Sequence, residues 1–155
     1  MVAGLAGQRS PDSYIAGALP LNRDGPRYSA SIDVFHDGDE RLVEVSESDA
    51  AIIVGAGFVV TWRSRRGTGR RTALVDDLDE KTQLEWVADS DFRFFPAVPD
   101  AFFGYVLHPA DLATNKASAA SDRRAPRDII DLVTIHEKFF HSVLSSLPPW
   151  GAFPA

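Results

Sequence analysis

The sequence contains no cysteine among its 155 residues, and this absence excludes several classes of protein. Without cysteine there is no disulfide framework, no zinc ribbon and no thiol nucleophile. The chain also has no apolar run of the roughly 18 residues that a membrane span needs, and its first residues do not form a basic-then-apolar signal peptide. We therefore expect a cytoplasmic protein with no membrane partner.

Basic residues are also in deficit. The chain has 16 Lys and Arg against 22 Asp and Glu, a net charge of −6, which disfavours a generic basic nucleic-acid binder. Its 45% hydrophobic and 25% charged residues are typical of a globular domain. The length predicts a single domain over 1–155, with loose ends at 1–10 and 147–155.

The spacing of apolar residues predicts both strands and helices. Apolar and polar residues alternate over 30–35 and 81–88, which is typical of half-buried strands. Over 41–56 the apolar residues recur at helical spacing, and Gly57 stands where a helix C-terminal cap belongs. The other predicted elements are a hairpin of strands 58–63 and 70–76 around Gly67-Thr68-Gly69 and helices at 109–121 and 126–144. This order predicts an α/β or α+β fold, a short mixed sheet with helices packed on it.

The carboxylates on two of these strands form the first candidate site. Residues two apart on a strand face the same side, so Asp-x-Asp presents two carboxylates to a pair of hard cations. A third carboxylate from another strand completes a two-metal site for phosphoryl transfer. The chain has half of this pattern in Ser31-Ile32-Asp33, and it has Glu85 on the polar side of a later strand. From the residues alone, both acids can equally be solvent-facing strand residues.

A set of short segments between Tyr14 and Glu137 carries a family resemblance. The segments are 14–19, 21–29, 32–37, Leu84-Glu85-Trp86, Phe92-Arg93-Phe94-Phe95-Pro96, the block Gly104-Tyr105-Val106-Leu107-His108-Pro109-Ala110-Asp111-Leu112-Ala113-Thr114-Asn115-Lys116, and Arg127-Asp128 with Asp131. On these residues the chain resembles the minimal nucleotidyltransferases of the AbiEii/AbiGii type. These are polymerase-β-like toxins of abortive-infection and toxin–antitoxin systems.

The resemblance implies a polymerase-β-like core and Mg²⁺-dependent transfer of a nucleotide from a nucleoside triphosphate. The implied acceptor is an RNA, such as a tRNA, or a protein, and the implied partner is a cognate antitoxin. Asp33 and Glu85 would hold the metal, and Lys116 would complete the catalytic set by neutralising phosphate charge. The residues implied in nucleotide binding are Gly17, Arg23, Ser29, Ser31, Lys116, Arg127, Asp128 and Asp131. For the last three, an ordinary salt-bridged helix face is the alternative interpretation.

Three departures from the family pattern fall in the same pocket. The family loop reads Gly-Gly-Ser/Thr, whereas this chain has Gly17-Ala18-Leu19, so the second glycine and the hydroxyl are absent. The Cβ of Ala18 bars a positive φ and lies where the nucleotide would come close. The first aspartate of the family pair is Ser31 here, and a neutral hydroxyl is a weak Mg²⁺ ligand. These departures predict impaired transfer. They leave a second function open, that of a catalytically impaired homologue which binds a nucleotide or a partner.

Two further clusters have less specific interpretations. Five arginines in nine residues form a candidate surface for an acceptor's phosphates, or they balance the acidic run that begins at Asp76; they are Arg63, Arg65, Arg66, Arg70 and Arg71. An aromatic stretch over 92–105 is interpreted as a lid over the core rather than a platform for stacking bases.

Overall fold

The computed structural model describes residues 2–23, 29, 31–66, 68–76, 81–89, 92–123 and 125–146. The predicted loose tail at 147–155, residues 24–28 of the family resemblance and the predicted turn residue Gly67 lie outside the described residues. The chain divides into two compact units, Met1–His108 and Pro109–Ala155. Each unit is described by itself, and the prediction of a single domain stays a prediction.

The first unit is built on a mixed sheet of seven strands in the order β3-β4-β5-β2-β1-β7-β6. The strands are β1 Ser13–Ala16, β2 Ser31–Asp37, β3 Val59–Ser64, β4 Arg70–Asp76, β5 Lys81–Asp89, β6 Val98–Asp100 and β7 Gly104–Val106. Strand β2 runs parallel to β5 and antiparallel to β1, and β1 runs parallel to β7. Helices α1 Val2–Leu5, α2 Leu19–Asn22 and α3 Leu42–Gly55 belong to the same unit. The predicted fold class, α+β with helices packed on a mixed sheet, is confirmed.

Alternation along the strands gives the sheet two unlike faces. In β2, Ile32, Val34 and His36 are buried while the residues between them are only half-buried. The buried residues pack with α1 and α3 into the core, together with Leu84 and Trp86 of β5. We call this side the covered face and the opposite, more polar side the open face.

Helix α3 ends as its sequence predicts. The observed range Leu42–Gly55 lies within one residue of the predicted 41–56 at each end. Gly57 takes a φ of +92°, and its N–H donates to the Val54 carbonyl oxygen at 2.9 Å. Because L-residues with a Cβ rarely adopt this backbone conformation, the glycine ends the helix and turns the chain into β3.

The N-terminal prediction was wrong. Residues 1–10 were expected to be a loose end, but they contain α1, whose Leu5 is 1% exposed in the core, and a turn of 3₁₀ helix at Ala6–Gln8. Arg9 follows and is also buried. The small and polar residues of this segment show no periodic pattern from which a helix could be predicted. The segment is held in place by contacts with residues far away in the sequence rather than by local helix propensity.

Three strands were missed as well. All four residues of β1 are buried, so the strand shows no alternation of apolar and polar residues. The pair β6 and β7 has three residues in each strand, too few for a periodic pattern, and β6 contains Pro99. These two strands lie at the end of the aromatic stretch over 92–105, for which no strand was predicted.

The second unit contains two helices, α4 Pro109–Arg123 and α5 Pro126–Ser146. Both begin at a proline, whose fixed φ suits the first helical position. The predicted ends at 121 and 144 fall two residues short of those observed. The two helices pack against each other.

Candidate functional site

The open face aligns the two acids that the sequence singles out. In the parallel pairing of β2 with β5, Asp33 is the register partner of Glu85, and Ser31 is the partner of Gln83. Neighbouring strands lie about 4.8 Å apart, and partners in register point to the same face. Asp33 and Glu85 therefore lie side by side, as the sequence predicts, with Ser31 beside them where the family has an aspartate.

The segment Gly17-Ala18-Leu19, which we call the glycine loop, lies directly against this acidic pair. Ala16, the last residue of β1, is the register partner of Asp33, and the chain turns at Gly17 with a φ of +72°. A Cβ built on Gly17 would overlap Asp33 Oδ2 and lie 3.2 Å from Asp33 Cγ. Glycine is required here both for the backbone conformation and for the close approach of the carboxylate.

The residue after Gly17, Ala18, does not take a positive φ, as its Cβ predicts. Ala18 has a φ of −89° and a ψ of −17°, a right-handed conformation that any L-residue adopts, and it caps the short helix α2. The positive φ of the loop is supplied by Gly17 alone. Leu19 is partly buried and packs against the core, so its departure from the family hydroxyl serves packing.

Glu85 is bound on both carboxylate oxygens by its neighbours on the open face. Arg70 Nη2 lies 2.5 Å from Glu85 Oε2, and Gln83 Nε2 donates a hydrogen bond to Glu85 Oε1. The Glu85 side chain is 13% exposed and that of Arg70 is 63% exposed. The guanidinium thus neutralises the carboxylate to which the family resemblance assigns a metal.

The described residues do not fit the pair of Mg²⁺ ions that the resemblance implies. Asp33, Glu85 and Ser31 supply oxygen donors of the kind that Mg²⁺ prefers, but only two of them are carboxylates. Glu85 already has a donor on each oxygen, and the nearby guanidinium repels a dication. Within the part of the chain that the structure describes, no group of three or more His, Cys, Asp or Glu side chains is placed to hold a metal ion.

Two other residues implied in nucleotide binding make contacts of their own. The Ser29 hydroxyl donates to the Ser31 carbonyl oxygen at 2.8 Å, so it orders the entry into β2. The Arg23 guanidinium lies 4.6 Å from the centre of the Phe102 ring, a cation–π contact between the end of α2 and the turn before β7. Residues 24–28, between Arg23 and Ser29, lie outside the described residues.

Lys116 lies in an ion cluster between α4 and α5. Its Nζ is 2.7 Å from Asp131 Oδ2 and 3.7 Å from Asp128 Oδ1, and the Lys116 side chain is only 10% exposed. Both aspartates are buried, on one face of α5, as their spacing of three predicts, while Arg127 is exposed. A lysine of α4 held by two carboxylates of α5 ties the two helices together.

The five arginines do not form one basic surface. Arg71 is buried on the covered face, where it donates to the backbone oxygens of Val43 and Arg65 and to Glu47. This burial removes Arg71 from the predicted acceptor surface. Arg65 donates to Glu47 at 2.8 and 2.9 Å, and Arg70 belongs to the open face. The other two, Arg63 and Arg66, are exposed.

The aromatic stretch also departs from its interpretation as a core lid. Phe92 and Phe94 are 71% and 63% exposed and meet edge to face, whereas Phe103 is buried. Between the exposed rings, Arg93 forms a two-point ion pair with Asp37, and its guanidinium lies 4.8 Å from the Tyr14 ring centre. The contacts of Arg93 hold this stretch against the sheet, and only some of its phenylalanines are buried.

Comparison with known proteins gives one structural neighbour to report and no family. No family model matches the chain, and no curated protein matches it significantly. The fold is similar to a solved structure described as the crystal structure of JHP933 from Helicobacter pylori, with a TM-score of 0.59 and 17% sequence identity. The match covers 90% of this chain and 63% of that protein, so the chain spans less than two thirds of its neighbour's length. At this identity the likeness supports the fold alone.

None of the helices in the described residues is long and apolar enough to cross a bilayer.

Proposed function

We propose that this chain is a nucleotidyltransferase-like protein that binds a nucleoside triphosphate on the open face of its sheet and transfers nucleotides poorly. The observation that carries the proposal is the contact between Gly17 and Asp33. It joins the glycine loop and the acidic strand into one site, as the family resemblance requires.

The loop supports the binding half of the proposal. A turn that begins at a glycine with a positive φ can present its backbone amides to a ligand, and phosphate groups bind amides of such turns. The Asp33 carboxylate fills the position that a Cβ of Gly17 would take, so a phosphate would have to reach these amides from another side. The half-buried polar row of β2 and β5 next to the loop, with Ser31, Asp33 and Gln83, supplies further hydrogen-bonding groups.

The acids support the other half, which is poor transfer. Transfer from a nucleoside triphosphate depends on positioning and on electrostatic stabilisation by metal ions held by carboxylates. Ser31 lacks one of these carboxylates, and Glu85 is neutralised by Arg70. We expect the rate to fall by orders of magnitude relative to a site with three free acids.

Active Mg²⁺-dependent transfer is the second candidate function. The register that places Asp33 beside Glu85 favours it, since two neighbouring carboxylates are the kind of ligand that Mg²⁺ prefers. An RNA or protein acceptor, a cognate antitoxin and a cytoplasmic location all belong to this proposal through the resemblance and the composition.

Binding and transfer are tested separately. Calorimetric titration with each of the four ribonucleoside triphosphates tests binding, and incorporation of label from each into total RNA and total protein tests transfer. We expect binding of at least one triphosphate and little or no incorporation. The absence of binding to all four would refute the proposal, and robust incorporation by the unaltered chain would refute the impairment.

Restored variants identify the cause of poor transfer. Ser31→Asp adds back the missing carboxylate and leaves the packing of Leu19 intact, whereas the triple variant with Ala18→Gly and Leu19→Thr restores the whole family pattern. A gain of incorporation with Ser31→Asp supports the role of the acid. The absence of any gain in both variants, when circular dichroism shows that they are folded, supports a binding protein that does not transfer.

A further inference from the structure

Arg70 occupies a particular place on the open face. It lies on β4, whose Thr72 is the register partner of Glu85, so Arg70 reaches Glu85 diagonally across neighbouring strands. Its guanidinium lies 2.5 Å from Glu85 Oε2, on the same face as Ser31 and Asp33. A fixed positive charge therefore lies next to the carboxylate that, in the family, would help to hold a cation.

A site for a nucleoside triphosphate needs positive charge, because the ligand carries several negative charges and the row already contains Asp33 and Glu85. A metal pair supplies this charge where three acids hold it. Here the described acids do not fit such a pair. A guanidinium supplies one positive charge, which Glu85 offsets here, but its five N–H donors can bind a carboxylate on one side and phosphate oxygens on another without a metal.

The exposure of Arg70 suits a ligand-binding role better than a purely structural one. Its side chain is 63% exposed, so most of the side chain is accessible to solvent although one guanidinium nitrogen contacts Glu85. By contrast, the neighbouring Arg71 is 2% exposed and its hydrogen bonds go to the backbone and side chains of the covered face. Adjacent arginines on one strand thus point to opposite faces with opposite accessibility.

We propose that Arg70 takes the place of the metal in this site and binds the phosphate groups of the nucleotide, so that nucleotide binding by this chain does not require Mg²⁺. This inference rests on the proposed function. Glu85 holds the guanidinium in position and is not a metal ligand. The chemistry predicts a preference for triphosphates over the nucleoside, with the N–H donors of Arg70 as its source.

Calorimetric titration with the four ribonucleoside triphosphates tests this inference at constant ionic strength, either with Mg²⁺ or with EDTA. We expect the Kd of the unaltered chain to agree within about twofold between the two conditions. Arg70→Gln weakens binding in EDTA tenfold or more, and Arg70→Lys, which keeps the charge, recovers part of the loss. Arg65→Gln is the matched control, since Arg65 is an exposed arginine of the same hairpin whose partner is Glu47 of α3; we expect it to bind within twofold of the unaltered chain.

Titration with Mn²⁺ alone gives a second readout that does not depend on nucleotide. We expect no Mn²⁺ binding at the site in the unaltered chain and measurable binding in the double variant Ser31→Asp, Arg70→Gln, which restores an acid and removes the competing charge. The possible failures are distinguishable. Binding that requires Mg²⁺, or Arg70→Gln binding as well as the unaltered chain, overturns the role of Arg70 and leaves the proposed function standing. The absence of all triphosphate binding in both conditions overturns both.

Discussion

The two faces of the sheet each hold an arginine–carboxylate pair, in opposite surroundings. On the covered face Arg9 and Asp49 lie 2.5 Å apart with both side chains 0% exposed, and Trp86 Nε1 donates to the second carboxylate oxygen at 2.8 Å. On the open face Arg70 and Glu85 are separated by the same distance, but the arginine is 63% exposed. The comparison shows that similar pairs lie in opposite surroundings: the first is closed off in the interior, and the second is accessible to solvent.

The pair on the covered face gives the largest expected effect. Asp49→Asn leaves the Arg9 charge buried without its partner and weakens the contact with Trp86, so we expect a loss of about 3–5 kcal/mol in the free energy of unfolding. Urea unfolding followed by tryptophan fluorescence measures it. Glu85→Gln is the matched variant on the open face, for which we expect a loss below about 1 kcal/mol. Equal losses in the two variants would contradict the division of roles.

The free energy of unfolding is also expected to depend on pH, because His36 is buried on the covered face. Burial, followed by the positive charge of Arg9, lowers the pKa of His36 to about 4, and the residue is 2% exposed on the covered face. Because the folded state binds the proton less readily than the unfolded state does, stability is highest above the ordinary pKa of 6.5 and falls as the pH drops towards 4. The loss amounts to about 3 kcal/mol at the low end of that window.

Urea midpoints between pH 7 and pH 4 measure this dependence. His36→Gln flattens the curve over the window, while His136→Gln on the exposed face of α5 is the control and keeps the slope of the unaltered chain. A slope that survives His36→Gln unchanged would assign the pH dependence to other groups.

A substitution at Gly17 is expected to affect both the stability of the protein and its binding of triphosphate. Gly17→Ala must place a Cβ at a φ of +72° and against the Asp33 carboxylate, so we expect a loss of about 2 kcal/mol and weaker binding of triphosphate. Gly38→Ala is the control, since Gly38 has a φ of +78° with open space around its Cβ position. It measures the backbone strain alone, about 1 kcal/mol, and leaves binding unchanged. Equal effects of the two variants on binding would contradict the contact between the glycine loop and Asp33.

The smallest effect belongs to the exposed pair of Arg65 and Glu47. Hydrogen bonds from Arg65 are the largest contribution to the lowered pKa of Glu47, about 2. Arg65→Gln therefore raises the pKa of Glu47 towards its usual value, as measured by NMR titration, but changes the free energy of unfolding by less than about 1 kcal/mol because both side chains are exposed. A larger loss would show that surface pairs contribute as much as the buried one.

The sequence predicted the faces of the sheet where alternation was clear. The alternation of apolar Ile32 and Val34 with polar Ser31 and Asp33 predicted both strand β2 and the face of the sheet on which Asp33 lies. The alternation along β5 predicted that strand and the face of Glu85 in the same way. Strand β1 escaped prediction because all four of its residues are buried, which removes the alternation on which the method depends. The N-terminal segment escaped because it is held by Leu5 in the core and by the ion pair of Arg9 with Asp49, 40 residues away.

For the candidate site, local pattern was not enough. Alternation in β4 already separates Arg70 from Arg71, since Arg71 shares its face with Ala73 and Val75, both buried. Treating the five arginines as one charge cluster concealed that signal. The pairing of Arg70 with Glu85 depends on the register between β4 and β5, which a single sequence does not specify, and so the neutralised acid emerged only from the structure.

The most direct test of the account is an NMR titration of the ¹⁵N-labelled chain with the triphosphate that binds most tightly, in EDTA. We expect the largest shifts at the backbone amides of Gly17 and Ala18, at Asp33 and Glu85, and at Arg70, with the amides around Arg9 and Asp49 on the covered face unchanged. Shifts centred elsewhere, with the Gly17 loop and Arg70 unaffected, would contradict the assignment of the open face as the nucleotide site.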